Sequence, residues 1–429
     1  MKIRILIVVV LLCNFMSMTV YAADSYQYCT DSIHLKTEVF NPATAAQDYL
    51  DQLTTDQKER SDAYFEGSYW ISLWNILIEV LVAWIFLSLG LSKWIKRIAT
   101  KAKKVNIQNL IYISLYLLFV FLLTFPMNVY TGFIREHQYN LSNLTFGGWL
   151  GEELKSLLVS LILGAPVFML LYIAIQKTGN RWWVWGGGIG VLFLVISVFI
   201  GPIFISPLFN KYKPLEDGHL KKEILSIARA NGVPADNVYQ FDASKQSTRI
   251  SANVSGIGST IRISLNDNLL NRCSTEEIKA VMAHEIGHYV LNHIYKLILM
   301  SGLLMIVGFA VINWAYHRII RQFGQIWDVH SISDIGGFPL IVLLFAAFFF
   351  ISSPVQNNIS RTTEIEADYF GLNAAREPDG FASVTMKLSE YRKISPGHWE
   401  EILFYDHPSG KTRVTNAMIW KGEHLRIDP

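Results

Sequence analysis

The sequence predicts a mostly α-helical protein, in which a polytopic membrane helix bundle is joined to an α+β domain outside the bilayer. Hydrophobic residues make up 51% of the 429 residues and charged residues only 17%, below the quarter that is usual in soluble proteins. A series of apolar runs follows along the chain, and most are long enough to cross a bilayer as helices, which predicts six to seven transmembrane helices. The runs cover residues 3–22, 69–92, 108–130, 156–176, 183–206, 294–316 and 338–353.

The first apolar run differs from the others. Two basic residues, Lys2 and Arg4, precede it, and it ends in small residues around Ala22. This pattern is typical of a secretory signal peptide over residues 1–22, and the alternative is an uncleaved first membrane helix. Residues 23–68 then form a polar extramembrane segment.

The rest of the chain divides by polarity. Residues 69–207 hold the N-terminal membrane helices, and residues 208–293 are too polar to lie in lipid. That polar segment contains two strand-like runs followed by a helical pattern, which predicts an α+β fold. Residues 294–353 supply two further membrane helices, and residues 354–429 complete the α+β domain. The net charge of +2 gives no indication of a nucleic-acid partner.

Some residues should mark the position of the bilayer. Trp70, Trp94, Trp149 and Trp182 stand at the ends of apolar runs, and tryptophan is enriched at membrane–water interfaces. Glu79 lies in the middle of a run, where a carboxylate facing lipid is costly. We therefore expect its side chain to face water or the interior of the bundle.

The pentapeptide at residues 284–288, His-Glu-Ile-Gly-His, is the most specific chemical signal in the chain. His284 and His288 lie one turn apart on one helix face, so both imidazoles can bind a single Zn²⁺. Glu285 lies about 100° around the helix, where it can take a proton from a water that attacks a peptide carbonyl. Ser274 and Glu277 form a capping box that starts this helix. The alternative is a pair of surface histidines on an amphipathic helix.

A third metal ligand would decide between these interpretations. Leu291 and His293 do not fit HExxHxxGxxH, because the histidine falls one residue too early. Further along, Glu364 and Asp368 are four residues apart and share a helix face, whereas Glu366 points elsewhere. One carboxylate of the pair can bind zinc while the other accepts the N–H of a ligand histidine. The alternative is an acidic, solvated helix face.

Several motifs occur together along the chain. They are FP and HQYN within residues 125–140, PLFNKYKPL at 207–215, HEIGHYVLNH at 284–293, SRTTEIEAD at 360–368, and DHP at 406–408 followed by Arg413. In this order they resemble the motifs of the type I CAAX prenyl proteases, which are integral-membrane zinc endopeptidases. The resemblance extends from about residue 60 to residue 425. It implies a helix bundle that encloses a water-filled chamber, with a zincin-like catalytic domain.

The resemblance also implies a metal site with one Zn²⁺ per chain. His284, His288 and Glu364 would be the zinc ligands, and Glu285 would be the general base. Asp368 would accept a hydrogen bond from a ligand histidine. These roles are expectations carried over from the matching motifs.

Substrate contacts are implied at four further positions. His407 and Arg413 would contact the substrate backbone or stabilise the oxyanion of the tetrahedral intermediate, and the alternative for His407 is a loop histidine before a turn proline. Residues 247–256 match the family's substrate-pairing edge strand, but Ser251 stands where members usually carry asparagine. Asn253 lies on the same strand face. It can substitute for that asparagine, or the register of the bound peptide can differ.

Basic residues predict the orientation of the protein. They concentrate in three alternate loops, residues 93–104, 177–181 and 317–335, which should therefore be cytoplasmic. The acidic segment 24–68 and the catalytic domain then lie on the outer side. This predicts a bacterial inner-membrane protein with a periplasmic active site, whereas eukaryotic members of the resembling family place theirs toward the cytosol.

We therefore predict a monomeric, membrane-embedded zinc metalloendopeptidase that cleaves membrane-associated proteins or peptides. The substrate would bind by adding a β-strand to the edge strand. One alternative is a membrane quality-control protease of the same clan. Another is a non-catalytic membrane scaffold with a vestigial zinc site, although a scaffold would have no reason to keep Glu285.

Overall fold

The computed structural model describes residues 40–256 and 261–425, so the predicted signal peptide lies outside the described residues. Helices make up most of the described chain, as the composition predicts. The N-terminal part contains α1 (Pro42–Leu50), α2 (Thr55–Ser88), α3 (Leu91–Ala99), α4 (Val105–Asn128), α5 (Arg135–Gln138), α6 (Phe146–Val159), α7 (Ala165–Thr178), α8 (Trp182–Ile200) and α9 (Ser206–Phe209). Short π-helical turns at Val129–Ile134, Ser160–Gly164 and Gly201–Ile205 connect some of these helices.

The C-terminal part mixes strands and helices. It contains β1 (Tyr212–Pro214), α10 (His219–Ala230), β2 (Val238–Phe241), β3 (Ala252–Ser255), β4 (Arg262–Asn266), α11 (Asp267–Arg272), α12 (Thr275–Val290), α13 (His293–Trp327), α14 (Phe338–Ala375), α15 (Pro378–Leu388), α16 (His398–Phe404) and α17 (Gly410–His424). The strands form one sheet in the order β1-β2-β4-β3. The β2–β4 pair is parallel and the two outer pairs are antiparallel. β3 is therefore an edge strand.

Five helical stretches of the described chain are long and apolar enough to cross a membrane, namely Thr55–Ser88, Val105–Gln138, Phe146–Phe209, His293–Trp327 and Ile335–Ala375. The third of them reverses at Gly179, which has φ +52°, and α7 and α8 on either side pack against each other. It therefore makes two passes, so that the described residues make six. The prediction of a polytopic bundle is confirmed.

The helices extend beyond the apolar runs. α2 begins at Thr55, well before the run that starts at residue 69, because Thr54 and Gln57 form a capping box. α14 contains the last apolar run and continues past it to Ala375, with Pro354 inside the helix. One continuous helix thus joins the membrane bundle to the α+β part of the chain.

A cavity of about 500 Å³ lies between the membrane helices. Its polar lining includes Asn75, Glu79, Thr124 and Asn128, while Phe350 contributes an apolar wall. The expectation that Glu79 faces the interior of the bundle is confirmed.

The tryptophan prediction is only partly right. Trp70 and Trp94 are exposed (66% and 46%), as residues of an interfacial belt should be, but Trp149 and Trp182 are buried (4% and 0%). Trp182 donates its indole N–H to Asn313 Oδ1 at 2.7 Å, and Trp149 packs among aromatic rings that include that of Phe133. Both residues stabilise helix packing instead of marking the bilayer surface.

The two ends of the bundle differ. At one end, α1 packs on α17 of the catalytic part. At the other end the basic connections meet: Lys96 Nζ lies 2.6 Å from Asp334 Oδ1, and the Tyr172 hydroxyl donates to the Asp334 carbonyl at 2.7 Å. An even number of passes places residues 40–54 and the α+β part on the same side.

Candidate metal centre and active site

The helix that carries the HExxH motif starts as the sequence predicts. Ser274 Oγ accepts the Glu277 N–H at 3.3 Å, and Glu277 Oε2 accepts the Ser274 N–H at 2.7 Å. The Glu277 carboxylate is buried (4% exposed) and also accepts hydrogen bonds from Ser383 Oγ at 2.5 Å and Lys387 Nζ at 2.6 Å. The cap therefore fixes the start of α12 against α15.

The two imidazoles and one carboxylate converge on a single point. His284 Nε2 and His288 Nε2 are 3.1 Å apart. Glu364 of α14 places Oε2 3.2 Å from His284 Nε2 and Oε1 3.4 Å from His288 Nε2. His284 and Glu364 are buried (7% and 8% exposed). The structure thus brings together the three residues that the sequence analysis named as ligands.

These separations fit a single tetrahedral ion. Metal–ligand bonds of about 2.0–2.1 Å at tetrahedral angles place neighbouring ligand atoms about 3.3 Å apart. The separation of 3.1 Å between the two imidazole nitrogens and that of 3.2 Å between His284 Nε2 and Glu364 Oε2 lie near that value, and His288 Nε2 lies 3.4 Å from the other oxygen, Oε1. Glu364 Oε2 is buried and receives no hydrogen bond from the described residues, so an electropositive partner is needed there. His284, His288 and Glu364 can therefore hold a metal ion.

Asp368 lies behind the first histidine. Its Oδ1 is 2.8 Å from His284 Nδ1, and both of its oxygens accept hydrogen bonds from Arg413, from Nε at 2.9 Å and from Nη2 at 2.6 Å. The bidentate pair is buried, which makes it rigid as well as strong. Spacing alone left the roles of Glu364 and Asp368 open, and in the structure Glu364 lies at the candidate metal-binding point and Asp368 lies behind it.

The close approach of α12 and α14 depends on a glycine. A Cβ at Gly371 would lie 3.0 Å from the backbone nitrogen of His284 and 3.1 Å from its Cα. These are backbone atoms of a candidate ligand residue, so they cannot rotate away. Gly371 lies seven residues after Glu364, on the same face of α14. The missing side chain lets this face reach the imidazoles.

The second histidine has outer partners that the sequence analysis did not identify. His293 Nδ1 lies 3.0 Å from His288 Nδ1, and His293 Nε2 lies 2.9 Å from Glu366 Oε2. The only available signal was His293 itself, which was considered only as a metal ligand. Asn292 adopts a left-handed conformation (φ 57°) between α12 and α13. The resulting reversal brings His293 back beside His288.

A cavity of about 190 Å³ opens beside the cluster. Its polar wall includes His284, Glu285, His407 and Arg413. Burial raises the pKa of Glu285. The apolar wall includes Leu269, Val281, Phe381, Val384 and Leu388. The cavity can therefore hold an apolar side chain next to the candidate base.

His407 reaches the same site from the C-terminal part. Its Nε2 lies 3.3 Å from Glu364 Oε2, and its Nδ1 lies 2.8 Å from Asp406 Oδ1. Arg392 also lines the cavity, yet its guanidinium makes no hydrogen bond or close ion pair with the described residues. The sequence analysis did not single out Arg392.

The two residues predicted for substrate binding occupy different places. Ser251 lines the cavity just before β3 begins, and Asn253 lies in β3 but outside the cavity lining. Ser251 is held by Asn266, whose Oδ1 accepts its N–H at 3.2 Å. The edge position of β3 leaves one row of its backbone groups available for pairing.

Comparison with known proteins gives consistent matches over most of the chain. The family model described as "Peptidase family M48" matches residues 214–421, and that described as "CAAX prenyl protease N-terminal, five membrane helices" matches residues 36–211. The uncharacterized metalloprotease YhfN of Bacillus subtilis is 30% identical over 80% of this chain and 80% of its own. CAAX prenyl protease 1 of Saccharomyces cerevisiae is 30% identical over 72% of this chain and 71% of its own. The crystal structure of S. mikatae Ste24p superposes with a TM-score of 0.71 at 25% identity, over 88% of this chain and 94% of that one.

Proposed function

The chain belongs to peptidase family M48, and from this premise we propose that it is a membrane-embedded zinc metalloendopeptidase acting on membrane-associated proteins or peptides. The observation that carries the proposal is the meeting of His284, His288 and Glu364 at one point, with Glu285 beside them in a cavity. A carboxylate next to a candidate metal site, on a wall that can accept a peptide, is what peptide hydrolysis needs.

In this proposal, His284, His288 and Glu364 hold one zinc ion per chain. Two imidazoles and one carboxylate are a donor set found in catalytic zinc sites, which leave a position for water or substrate. The bound ion would act as a Lewis acid that makes water a better nucleophile at neutral pH and polarises the peptide carbonyl. Asp368, held by Arg413, keeps the proton of His284 on Nδ1 and so leaves Nε2 free.

Glu285 acts as the general base. Its carboxylate takes a proton from the attacking water while the water oxygen bonds to the carbonyl carbon. The same proton then passes to the departing amine as the C–N bond breaks, so that one carboxylate serves both steps. Burial raises the pKa of Glu285, which makes it a stronger base than an exposed carboxylate.

His407 and Arg413 stabilise the negative charge that develops on the carbonyl oxygen. His407 lines the cavity and places Nε2 3.3 Å from Glu364. Arg413 donates from Nε and from one N–H of Nη2 to Asp368, so only Nη1 and the second N–H of Nη2 are left to face substrate. We therefore assign the direct contact mainly to His407, and to Arg413 a positive charge near the site.

The substrate backbone pairs with β3 as an added strand, beside Ser251 and Asn253. Main-chain pairing tolerates many sequences, and the apolar cavity wall then selects one side chain. The relatives named CAAX prenyl protease 1 favour processing at CAAX-like C-terminal sequences. Cleavage of damaged membrane proteins is the alternative, and a set of quenched peptides with and without a prenylated cysteine would distinguish them.

The proposed location is the bacterial inner membrane, with a monomer that exposes its catalytic part to the periplasm. The basic connections meet at the end of the bundle opposite to the catalytic part, and basic loops favour the cytoplasm. The proposed domains are residues 69–207 and 294–353 for the membrane and residues 208–293 and 354–429 for catalysis. Alkaline phosphatase fused after residue 429 should be active, and an inactive fusion at normal expression would reverse this orientation.

The proposal is tested with purified protein and a quenched peptide. Glu285→Gln should keep a stoichiometric amount of zinc while turnover falls by at least 10²-fold, the lower limit for losing a general base. Glu364→Ala should lose the metal. Wild-type protein that binds zinc but cleaves no peptide would favour the scaffold interpretation, and unchanged turnover in Glu285→Gln would reject the assigned base.

A further inference from the structure

The outer nitrogens of the two candidate ligand histidines have different partners. His284 Nδ1 lies 2.8 Å from the Asp368 carboxylate. His288 directs Nδ1 at another imidazole nitrogen, His293 Nδ1, at 3.0 Å. A carboxylate can only accept a hydrogen bond, whereas an imidazole nitrogen can either donate or accept. The direction of the second contact must therefore be set by what lies beyond it.

That direction follows from Glu366. His293 Nε2 lies 2.9 Å from Glu366 Oε2, and the carboxylate can only accept, so His293 carries its proton on Nε2. In a neutral imidazole, Nδ1 is then an acceptor. His288 must donate to it from Nδ1, which leaves His288 Nε2 with a free lone pair that faces the metal-binding point. The opposite direction would place a nitrogen lone pair of His293 against the carboxylate.

We propose that His293 and Glu366 are positioning residues that fix the tautomer and ring orientation of His288 for metal binding. This inference rests on the proposed function, because it assigns these residues to the same metal site. His293 is 1% exposed, so it has no solvent to satisfy its ring nitrogens. Lys296 Nζ binds both oxygens of Glu366, at 2.9 and 3.0 Å, which holds the carboxylate in place.

The two supports differ in burial. Behind His284, the side chains of Asp368 and Arg413 are 8% and 9% exposed. Behind His288, those of Glu366 and Lys296 are 45% and 41% exposed. The solvent-facing ion pair is screened and weaker than the buried one. His293 therefore contributes more to the position of His288 than Glu366 does.

His293, which supports His288, also connects the candidate metal site to a membrane helix. His293 is the first residue of α13, whose apolar part crosses the membrane. The left-handed Asn292 separates it from α12. A shift of α13 relative to α12 would therefore move the hydrogen-bond acceptor of His288. Asp368 provides the equivalent contact for His284 from α14.

The test compares full-length variants in detergent by zinc competition with a chromogenic chelator, and by the visible spectrum of the Co²⁺-substituted protein. His293→Leu removes the acceptor and should weaken zinc binding 10–100-fold, the usual effect of losing such a partner, and should alter the Co²⁺ bands. His293→Asn keeps an acceptor where Nδ1 lies and should restore most of the affinity. Glu366→Ala should cost roughly tenfold, at the low end of that range.

Asp379→Ala is the matched control, because Asp379 forms a similar exposed pair with Lys421 and should leave zinc affinity unchanged. If the His293→Leu variant does not fold, the zinc affinities of His293→Asn and Glu366→Ala decide whether the inference holds. Wild-type affinity and Co²⁺ bands in Glu366→Ala and in every folded His293 variant would overturn the inference. A wild-type protein that binds no metal would instead overturn the proposed function.

Discussion

The contact between α12 and α14 gives the sharpest prediction. Gly371→Ala adds one methyl group at the point where α14 approaches the backbone of His284. Its Cβ would lie 3.0 Å from His284 N, while ordinary contacts begin near 3.4 Å. The helices must therefore separate by about 3.4 − 3.0 = 0.4 Å, because neither backbone can yield locally.

The same displacement acts on the metal site. Glu364 lies 3.2 and 3.4 Å from the two imidazole nitrogens, and a shift of about 0.4 Å exceeds the tolerance of roughly 0.2 Å in metal–ligand distances. Overpacking costs about 1–3 kcal/mol, and the better helix propensity of alanine returns roughly 0.5–1 kcal/mol. If about 1–2 kcal/mol of this cost reduces the free energy of zinc binding, the zinc Kd rises roughly 5- to 30-fold.

The assay is zinc competition combined with thermal unfolding, for Gly371→Ala and for Gly151→Ala. Gly151 lies inside α6, and a methyl group added there would have nothing within 4 Å. It therefore reports the propensity gain alone and should be neutral or slightly stabilising. If Gly371→Ala matched Gly151→Ala in both stability and zinc affinity, the reasoning from helix approach would be refuted.

Three further predictions concern charge and metal content. Burial alone would raise the pKa of Glu277, but hydrogen bonds from Lys387, Ser383 and the backbone hold it below its ordinary value. Its stabilising effect should thus be full above about pH 4.3 and lost as the pH falls below it. Glu277→Gln should unfold about 1–3 kcal/mol more easily at pH 7, and a difference from wild type that does not shrink as the pH falls below about 4.3 would contradict this. Arg392→Gln should raise KM roughly tenfold or more for peptides whose carboxylate can reach this cation, with kcat unchanged; equal KM values for free-acid and amidated peptides in the wild type would oppose that assignment. Chelation of the metal should lower the unfolding temperature, and zinc at a hundred times Kd should restore about 2.7 kcal/mol; identical melting curves with and without chelator would argue against a bound ion.

Local spacing predicted the part of the site that lies within single helices. His284 and His288, and likewise Glu364 and Asp368, share a face because four residues make about one turn. The same rule could not say which carboxylate faces the imidazoles, since both lie on that face. Which carboxylate faces the imidazoles depends on how α14 packs on α12. That packing requires the absence of a side chain at Gly371, and a contact between two helices cannot be inferred from spacing along one of them.

Other features escaped the sequence analysis for related reasons. His293 would lie off the ligand face in a continuous helix, and only the reversal at Asn292 returns it. Trp149 and Trp182 stand at the ends of apolar runs, but the position of a residue along a helix does not tell which side is covered by neighbours. The apolar runs also did not give the helix ends, because hydropathy detects the bilayer whereas a helix such as α14 continues into water.

Because α14 is continuous, it fixes the distance between the candidate metal site and the membrane. The last apolar run ends at residue 353 and Glu364 lies 11 residues further along the same helix, a rise of about 16 Å at 1.5 Å per residue. The helix therefore holds the candidate metal ligand Glu364 at a set distance from the end of the hydrocarbon-spanning stretch. Under the proposed function, the bonds that are cleaved should therefore lie close to the lipid surface.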